Sequence, residues 1–173
     1  MANKIEFIRA DVKLFKALVK QWNGIFDEPL KQHYEPWLDY GRQIASEDPP
    51  HRRYGIYVLQ STKGKSTVYE AFCHVNHKLP RTSASEVRVV WNTVSPSYET
   101  KFTDEQLAQL TAGFIFGAIQ LSETEMPARL VKLYLNNGVD KQYAAGLAAG
   151  LNKTLPGHTL EIKGNWLHIE RDN

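Results

Sequence analysis

A strand-like segment, a helix-like segment and a second strand-like segment follow one another in the second half of the chain. Residues Glu86 to Val94 predict a strand, and residues Arg129 to Leu135 predict a strand with an almost continuous apolar run. The helix between them lets the two strands pair in parallel through a right-handed crossover. The sequence therefore predicts an α/β domain, and the apolar run predicts that both faces of its second strand are covered.

The helix of this unit has clear start signals and a clear apolar face. Thr103 and Gln106 have the spacing of a capping box, and the helix is predicted to end near Ser122. The apolar face comprises Leu107, Leu110, Phe114, Ile115 and Ala118. Gly113 and Gly117 lie four residues apart, which predicts close packing of this helix on a sheet.

The remaining segments extend this unit in a regular order. They predict a strand over Lys4 to Arg9, a helix from the cap Asp11 through Trp22, a helix from about Glu28 or Pro29 to Ala45, strands over Arg53 to Gln60 and Thr67 to His77, a helix over Asp140 to Leu151, and strands over His158 to Ile162 and Trp166 to Arg171. A polar turn is predicted over Ser61 to Ser66, and Pro36 predicts a kink in the second helix. The complete order is β-α-α-β-β-β-α-β-α-β-β, in a mixed twisted sheet with helices on both faces.

Length and composition exclude several classes of protein. The chain has 173 residues, 42% of them hydrophobic, which predicts a single domain over 1–173. Cys73 is the only cysteine, so an internal disulfide and a Cys-x-x-Cys zinc site are excluded. His74 and His77 point to opposite faces of a regular strand, so no metal site is indicated. No apolar run long enough to span a membrane and no apolar leader are present, which predicts a cytoplasmic location and no membrane partner.

This order of elements resembles that of the GCN5-related N-acetyltransferase (GNAT) superfamily over essentially the whole chain. Residues Val89 to Val94, followed by Ser95-Pro96-Ser97-Tyr98, are similar to the end of the family's central strand and its V-x-P-x-Y continuation. Asn136, with Tyr143 seven residues later on the next helix, resembles a second family signature. The resemblance implies a GNAT-like acyl-CoA N-acyltransferase fold whose two middle strands splay to admit the pantetheine arm of a coenzyme.

The resemblance also implies roles for individual residues. Val94 would offer its backbone amide to the carbonyl of a thioester, and Tyr143 would be the acid that protonates the leaving thiolate. Tyr98, Lys101 and Asn136 would complete the coenzyme-binding residues. The cofactor would be acetyl-CoA or a related acyl-CoA, without a metal, and the acceptor would be an amine that the sequence does not name.

One segment departs from the family pattern. Family members carry Arg-Gly-x-Gly-x-Gly or Ala after the tyrosine, and the backbone amides of that loop hold the coenzyme pyrophosphate. This chain has Glu99-Thr100-Lys101-Phe102-Thr103-Asp104 at the matching stretch. Glu99 occupies the Arg position, and Asp104 and Glu105 lie in the first helical turn, where carboxylates satisfy the amides and repel a diphosphate. The segment therefore favours a helix capped by its own residues, with Lys101 as the one basic residue that favours a phosphate site.

A general base would have to accept a proton from the amine. Glu70 and His74 are predicted to share one strand face, where a carboxylate would tune the pKa of the imidazole toward neutrality. The same pattern fits a partly solvated sheet face that carries ordinary polar side chains. Tyr143 equally fits a tyrosine at a helix rim, and Asn136 a plain turn. Cys73 is predicted to be a buried packing residue.

Charge and aromatic residues are distributed unevenly. Although the net charge is +2, residues 51–102 hold eight basic and three acidic side chains. A basic, aromatic sheet surface fits an anionic partner such as a nucleic acid, whereas solubilising loop charges explain the same pattern more simply. Tyr34, Trp37 and Tyr40 on the second helix predict an aromatic cluster that either lines an acceptor pocket or packs on the sheet.

Two functions from different classes remain. The first is an N-acyltransferase that moves an acyl group from a CoA thioester to an amine. The second is a non-catalytic GNAT-like binding or interaction module that has lost acetyl-CoA, which the missing glycine loop and Glu99 favour. A third is an enzyme of the same fold that uses another donor, because fold does not fix function. The sequence names no oligomeric state.

Overall fold

A computed structural model of the chain describes residues 5–79, 84–99, 103–136 and 138–172. The elements are β1 (Ile5–Arg9), α1 (Val12–Asn23), α2 (Glu28–Ala45), β2 (Tyr54–Lys63), β3 (Ser66–Lys78), β4 (Glu86–Val94), α3 (Asp104–Glu123), β5 (Leu130–Tyr134), α4 (Gly138–Thr154), β6 (His158–Lys163) and β7 (Trp166–Arg171). A single 3-10 turn over Pro96–Tyr98 follows β4. This order confirms the predicted one.

The strands form one seven-stranded sheet in the order β1-β2-β3-β4-β5-β7-β6. Neighbouring strands are antiparallel except for β4 and β5, which pair in parallel from Glu86↔Leu130 to Val89↔Leu133. Helix α3 supplies the crossover between them, as predicted.

The pairing of β4 with β5 ends well before β4 itself does. Val89 and Leu133 form the last pair, yet β4 continues to Val94. The described residues 90–94 of β4 therefore have no partner on β5, although β3 still pairs with them as far as Ala71↔Val94. Strand β5 itself ends at Tyr134, one residue after the last pair, so the predicted splay of the two middle strands stays a prediction.

Helices cover both faces of the sheet and bury two separate apolar cores. On one face, α1 and α2 bury Phe15, Leu18, Trp22, Tyr34 and Leu38 against Ile56, Val58 and Phe72. On the other face, α3 and α4 bury Leu110, Phe114, Ile115, Ala118, Ala144 and Ala148 against Leu59, Val75, Val87, Val131, Leu133 and Leu167. Burial of these apolar side chains is the main stabilising contribution to the fold.

Strand β5 differs from its prediction on one face. Val131 and Leu133 are buried under α3, as expected. The opposite face carries Lys132 and Tyr134, which are only partly buried. The prediction that both faces of this strand are covered is therefore wrong for the Lys132 face, because a polar ion pair with Glu86 occupies it.

One local prediction also needs correction. The β2–β3 turn comprises only Gly64 and Lys65, with Gly64 at a φ of 65°, so the strands extend through the predicted turn Ser61 to Ser66. They extend because Ser61 pairs with Val68 and Lys63 with Ser66. Helix α2 continues through Pro36, and the predicted kink at this residue stays a prediction.

Candidate functional site

The end of β4 presents a backbone amide beyond the last residue that pairs with β5. The Ser95 amide donates to the Glu70 carbonyl oxygen on β3, at 2.7 Å. Because successive amides of a strand point to opposite sides, the Val94 N–H points away from β3 and into the gap beside β5. This orientation is the one that the predicted role of Val94 requires.

A small cavity of about 50 Å³ lies in the gap, on the α3 side of the sheet. Three segments form its walls. They are Asn92 and Val94 of β4, Leu107, Leu110, Thr111 and Phe114 of α3, and Leu133 and Tyr134 of β5 together with the next residue, Leu135. None of these side chains is charged.

A second cavity of about 400 Å³ lies between α3 and α4. Its walls are Ala108, Thr111, Gln142, Tyr143, Gly146 and Leu147. Thr111 lines both cavities, so the gap in the sheet and the groove between the helices lie next to each other.

Tyr143 lies at the wall of the larger cavity. Its hydroxyl donates to the carboxylate of Asp104, the first residue of α3, and this hydrogen bond raises the pKa of Tyr143, with a smaller contribution from burial. The phenol is therefore protonated at neutral pH, which is the state that an acid needs. Asn136 lies two residues after the end of β5 and is exposed.

The N-terminus of α3 is capped by its own residues. The Thr103 amide donates to Gln106 Oε1 at 3.0 Å, and the Gln106 amide donates to Thr103 Oγ1 at 3.2 Å. These two bonds confirm the predicted capping box. The Glu105 carboxylate accepts a hydrogen bond from the Gln109 side chain at 3.3 Å.

Glu99 connects the turn after β4 to helix α2. The Tyr34 hydroxyl donates to Glu99 Oε1 at 2.9 Å, and burial together with this bond raises the pKa of Tyr34. Lys101, which was predicted to bind the coenzyme, lies outside the described residues, as do Thr100 and Phe102 of the same stretch.

Glu70 is a buried carboxylate, only 5% exposed. It accepts hydrogen bonds from the hydroxyls of Ser61 and Tyr98, and Lys63 Nζ lies 3.3 Å away. Burial, followed by the hydrogen bond to Glu70, raises the pKa of Tyr98. The Tyr98 hydroxyl thus holds the turn after β4 against β3, a role that the sequence alone did not indicate.

The prediction that Glu70 and His74 share a strand face is wrong. The pairing of β2 with β3 shifts between Leu59 and Gln60, which leaves Glu70 as an extra residue on β3. Glu70 consequently points to the side of Tyr98 and α3, whereas His74 contacts Tyr40 on the side of α2.

His74 lies in an aromatic cluster, and among the described residues only one of its two ring nitrogens has a hydrogen-bond partner. Its Nδ1 is 3.0 Å from the Tyr40 hydroxyl, and its ring is close to the rings of Tyr54 and Trp91. Its Nε2 is buried and has no hydrogen-bond partner in the described part of the chain. Burial lowers the pKa of His74, an effect that the negative charge of Glu47 partly offsets.

Replacing His74 by asparagine is expected to reduce the loss of folding stability that occurs as the pH falls from 7.5 to 5.5. The folded pKa of His74 lies below its usual value near 6.5, so the unfolded chain binds more protons as the pH falls below about 6.5, and folding stability is lost in that range. Urea unfolding at pH 7.5 and 5.5 measures the difference. His33→Asn, which removes an exposed imidazole of α2, is the control. An unchanged difference between the two pH values in His74→Asn would contradict the assignment.

The predicted aromatic cluster of α2 divides into two parts. Tyr34 is buried against Trp22 and Phe26. Trp37 remains 43% exposed and contacts Trp91 of β4, with ring centroids 5.3 Å apart. Tyr34 is therefore part of the apolar core between the sheet and helices α1 and α2, whereas Trp37 lies at the surface beside β4.

A cluster of three charged side chains on β4 and β5 was not predicted from the sequence. The Glu86 carboxylate accepts from Lys132 Nζ at 3.0 Å and from Arg88 Nε at 2.6 Å. Although burial raises the pKa of Glu86, these two cations outweigh it and lower the pKa overall. The alternation of Glu86 and Arg88 was the available signal, but the register that brings Lys132 to them is a long-range property.

The described basic side chains of residues 51–102 do not all lie in one place. Arg53 and Lys78 lie at one end of the β2–β3 hairpin, because the His77 amide donates to the Arg53 carbonyl oxygen. Lys63 and Lys65 lie at the turn of the same hairpin. Ten residues of extended strand separate the two ends by about 30 Å. Arg81, also among the basic residues, lies outside the described ones.

Metal and membrane sites find no support in the described residues. Residues 5–79, 84–99, 103–136 and 138–172 contain no cluster of three or more His, Cys, Asp or Glu side chains placed to hold a metal ion. Burial raises the pKa of the Cys73 thiol, which confirms a packing residue. Within the same ranges, no helix is long and apolar enough to span a membrane.

Comparisons with known proteins give matches only among solved structures. No protein-family model matches the sequence, and no curated protein matches it. The KacTA–DNA complex is 12% identical, with 95% of this chain and 92% of that chain covered and a TM-score of 0.49. AtaTR bound with AcCoA is 12% identical, with coverages of 96% and 91% and a TM-score of 0.48. A putative acetyltransferase of the GNAT family from Desulfovibrio desulfuricans is 13% identical, with both coverages at 97% and a TM-score of 0.37.

The chain's own topology identifies the fold. The β-α-α-β-β-β-α-β-α-β-β order, the parallel β4–β5 pair and the gap beyond Val89 are the features that the sequence resemblance implied. The chain has a GNAT-like fold.

Proposed function

We propose that the protein is an N-acyltransferase that holds the pantetheine arm of an acyl thioester in the β4–β5 splay and transfers the acyl group to an amine. The observation that carries this proposal is the gap beyond Val89, which adjoins a cavity between α3 and α4 whose described wall residues are uncharged.

The proposed reaction needs three groups. The Val94 amide stabilises the negative charge that develops on the thioester carbonyl oxygen when the amine nitrogen attacks the carbonyl carbon. The carbon–sulfur bond then breaks, and Tyr143 gives its proton to the leaving thiolate. Its protonated state and its place at the cavity wall support this role.

The third group accepts the proton that the amine loses. His74, which lies on the α2 side of the sheet, is the candidate base, and its lowered pKa supports a neutral imidazole that can accept a proton. Glu70 is better suited to a positioning role, because its carboxylate already accepts from Ser61 and Tyr98 and its carbonyl oxygen accepts from the Ser95 amide. Those contacts fix the end of β4, where the Val94 amide lies.

One observation favours a second candidate, the non-catalytic module. The N-terminus of α3 satisfies two of its amides through the capping box and carries the carboxylates of Asp104 and Glu105. A helix start with capped amides and an acidic first turn binds a diphosphate less favourably. The module would keep the fold and bind no acyl thioester.

Calorimetric titration with acetyl-CoA, desacetyl-CoA and S-acetylpantetheine tests the proposal. At least one thioester is expected to bind with a Kd below about 1 mM, which corresponds to roughly −4 kcal/mol. Thr111→Trp, which places a large ring where the two cavities meet, is expected to weaken that binding at least tenfold.

The matched control is Ala149→Trp, which adds the same ring at an exposed position of α4 and is expected to leave binding unchanged. Circular dichroism shows whether both variants fold. If the folded protein binds none of the three ligands at millimolar concentration, the transferase proposal fails and the module is favoured.

A further inference from the structure

Three aromatic side chains form a partly exposed cage on the α2 side of the sheet. Trp37 and Tyr40 of α2 are 43% and 36% exposed, and their ring centroids lie 5.3 and 5.6 Å from that of Trp91 on β4. Their ring planes are inclined by 48° and 63° to the plane of Trp91. Exposed rings that are inclined to one another in this way are typical of sites that bind organic ammonium groups through cation–π contacts.

Two of the three rings of this cage are held in place by neighbours. The Tyr40 hydroxyl is 3.0 Å from His74 Nδ1, and the centroids of these two rings are 5.6 Å apart. The Trp91 ring packs edge-on against Phe72, which is fully buried. The cage therefore exists before a ligand binds, and its rings lose little conformational freedom on binding.

Two carboxylates flank the cage. Tyr34 precedes Trp37 by three residues on α2, and its hydroxyl donates to Glu99 Oε1 at 2.9 Å. Glu47, two residues after the end of α2, accepts from the Tyr54 hydroxyl at 2.9 Å. Both donors are neutral phenols, so these hydrogen bonds leave the negative charges of the carboxylates in place. Negative charge beside aromatic faces favours a cationic ligand over a neutral ligand of the same shape.

The chain's own cations lie over other rings. In the described part of the chain, Arg9 lies over the ring of Tyr57 and Arg88 over that of Trp166, each with its guanidinium carbon 6.0 Å from the ring centroid. Tyr57 and Trp166 are outside the cage. The faces of the cage are therefore left to a cation from solution.

The cage lies on the side of the sheet from which an acceptor would approach the proposed thioester. The cavities that would hold the thioester have their helical walls on α3 and α4, on the opposite side. The Val94 amide, which would bind the carbonyl oxygen, follows Trp91 by three residues of extended strand, or about 10 Å. An acceptor with its amine at the carbonyl carbon would thus place a group about 10 Å away in the cage.

We propose that the acceptor is an amine with a second, non-reacting positive charge, and that Trp37, Tyr40 and Trp91 bind this charge. This inference rests on the proposed function and adds the chemical class of the acceptor. The ammonium in the cage stays protonated, with Glu99 as a nearby counter-charge. The other amine attacks the carbonyl carbon and gives its proton to the base, while the carbon–sulfur bond breaks and the thiolate takes the proton of Tyr143.

Choline tests the cage in the intact protein without any acyl thioester. The tert-butyl group of 3,3-dimethylbutan-1-ol has the shape of the trimethylammonium group of choline but no charge. Titration followed by tryptophan fluorescence is expected to show choline binding at least about fivefold more tightly than the alcohol, because cation–π attraction adds to the contact with the rings. Equal affinities, or no binding of choline, would overturn the inference.

Two variants locate the bound charge. Trp37→Leu removes an exposed ring of the cage and is expected to weaken choline binding about fivefold. Glu99→Gln keeps an acceptor for the Tyr34 hydroxyl but removes the charge, and is expected to weaken choline binding about threefold. Phe116→Leu, the control, removes a 47% exposed ring from α3 and should leave choline binding unchanged. If Trp37→Leu, folded by circular dichroism, bound choline like the parent protein, the cage assignment would be wrong.

Acceptor kinetics separate this inference from the proposed function. With a thioester that binds, 1,8-diaminooctane is expected to have a kcat/KM about tenfold above that of octylamine, and Trp37→Leu should remove this preference. Equal values for the two amines would overturn the acceptor class while the transferase proposal stands. If no thioester binds, the transferase proposal and the acceptor role fail together, whereas the choline titration still decides whether the cage binds a cation.

Discussion

Replacing Glu70 by alanine is expected to lower the free energy of unfolding by about 3 kcal/mol, since a buried hydrogen-bonded group is lost and its partners remain. The Ser61 and Tyr98 hydroxyls both donate to this carboxylate, and all three side chains are buried. Without Glu70, two buried hydroxyls lose their acceptor, and each unsatisfied group costs about 1–3 kcal/mol. Urea unfolding followed by circular dichroism measures the loss.

The control for this prediction is Glu161→Ala on β6. Glu161 also pairs with a lysine, Lys163, at 2.9 Å, but both side chains are more than half exposed. An exposed pair contributes about 0–1 kcal/mol, so this variant should unfold almost like the parent protein. If Glu70→Ala loses less than about 1 kcal/mol, the cluster of Ser61, Glu70 and Tyr98 does not hold the end of β4.

The order of elements could be predicted because each element carries a local signal. Alternating side chains identify β3, and the apolar repeat from Leu107 to Ala118 identifies α3 together with its cap at Thr103. The parallel pairing of β4 with β5 also follows from local information, because a helix between two strands restricts how they can meet.

The contacts of the site could not be predicted in the same way. The extra residue at Glu70 arises from a shift in pairing with β2, and strict alternation within β3 gives no sign of it. The ion pair between Glu86 and Lys132 and the hydrogen bond from Tyr34 to Glu99 join residues far apart in sequence. Spacing along one segment says nothing about which distant side chain completes a hydrogen bond.

The first turn of α3 shows both what the sequence could predict and what it could not. The sequence predicted that Asp104 and Glu105 would lie in the first turn of α3 and that Thr103 would cap it, and the capping box confirms this. It did not reveal that Tyr143, the predicted acid, uses Asp104 as its hydrogen-bond acceptor. Asp104 thus lies both in the first turn of α3 and beside the candidate acid.

Replacing Gly117 by alanine is expected to lower the free energy of unfolding by about 2 kcal/mol, although alanine is the better helix former by about 1 kcal/mol. A Cβ at Gly117 would lie 2.4 Å from Cγ and 2.5 Å from Cβ of Phe7 on β1. Phe7 in turn stacks on Tyr57, with ring centroids 5.2 Å apart. Relief of this overlap therefore requires movement of β1 or of α3, and repacking of a core in this way costs about 1–3 kcal/mol.

Gly150→Ala in α4 separates the packing cost from helix propensity. No atom lies within 4 Å of a Cβ built at Gly150, so this variant should gain up to about 1 kcal/mol from the lower entropy of alanine in the unfolded chain. The two substitutions are chemically identical, and their unfolding free energies should differ by about 3 kcal/mol. If Gly117→Ala proved as stable as Gly150→Ala, α3 would not lie as close to β1 as its glycines indicate. The position of α3 fixes the inner wall of both cavities, so the same measurement also tests the geometry on which donor binding depends.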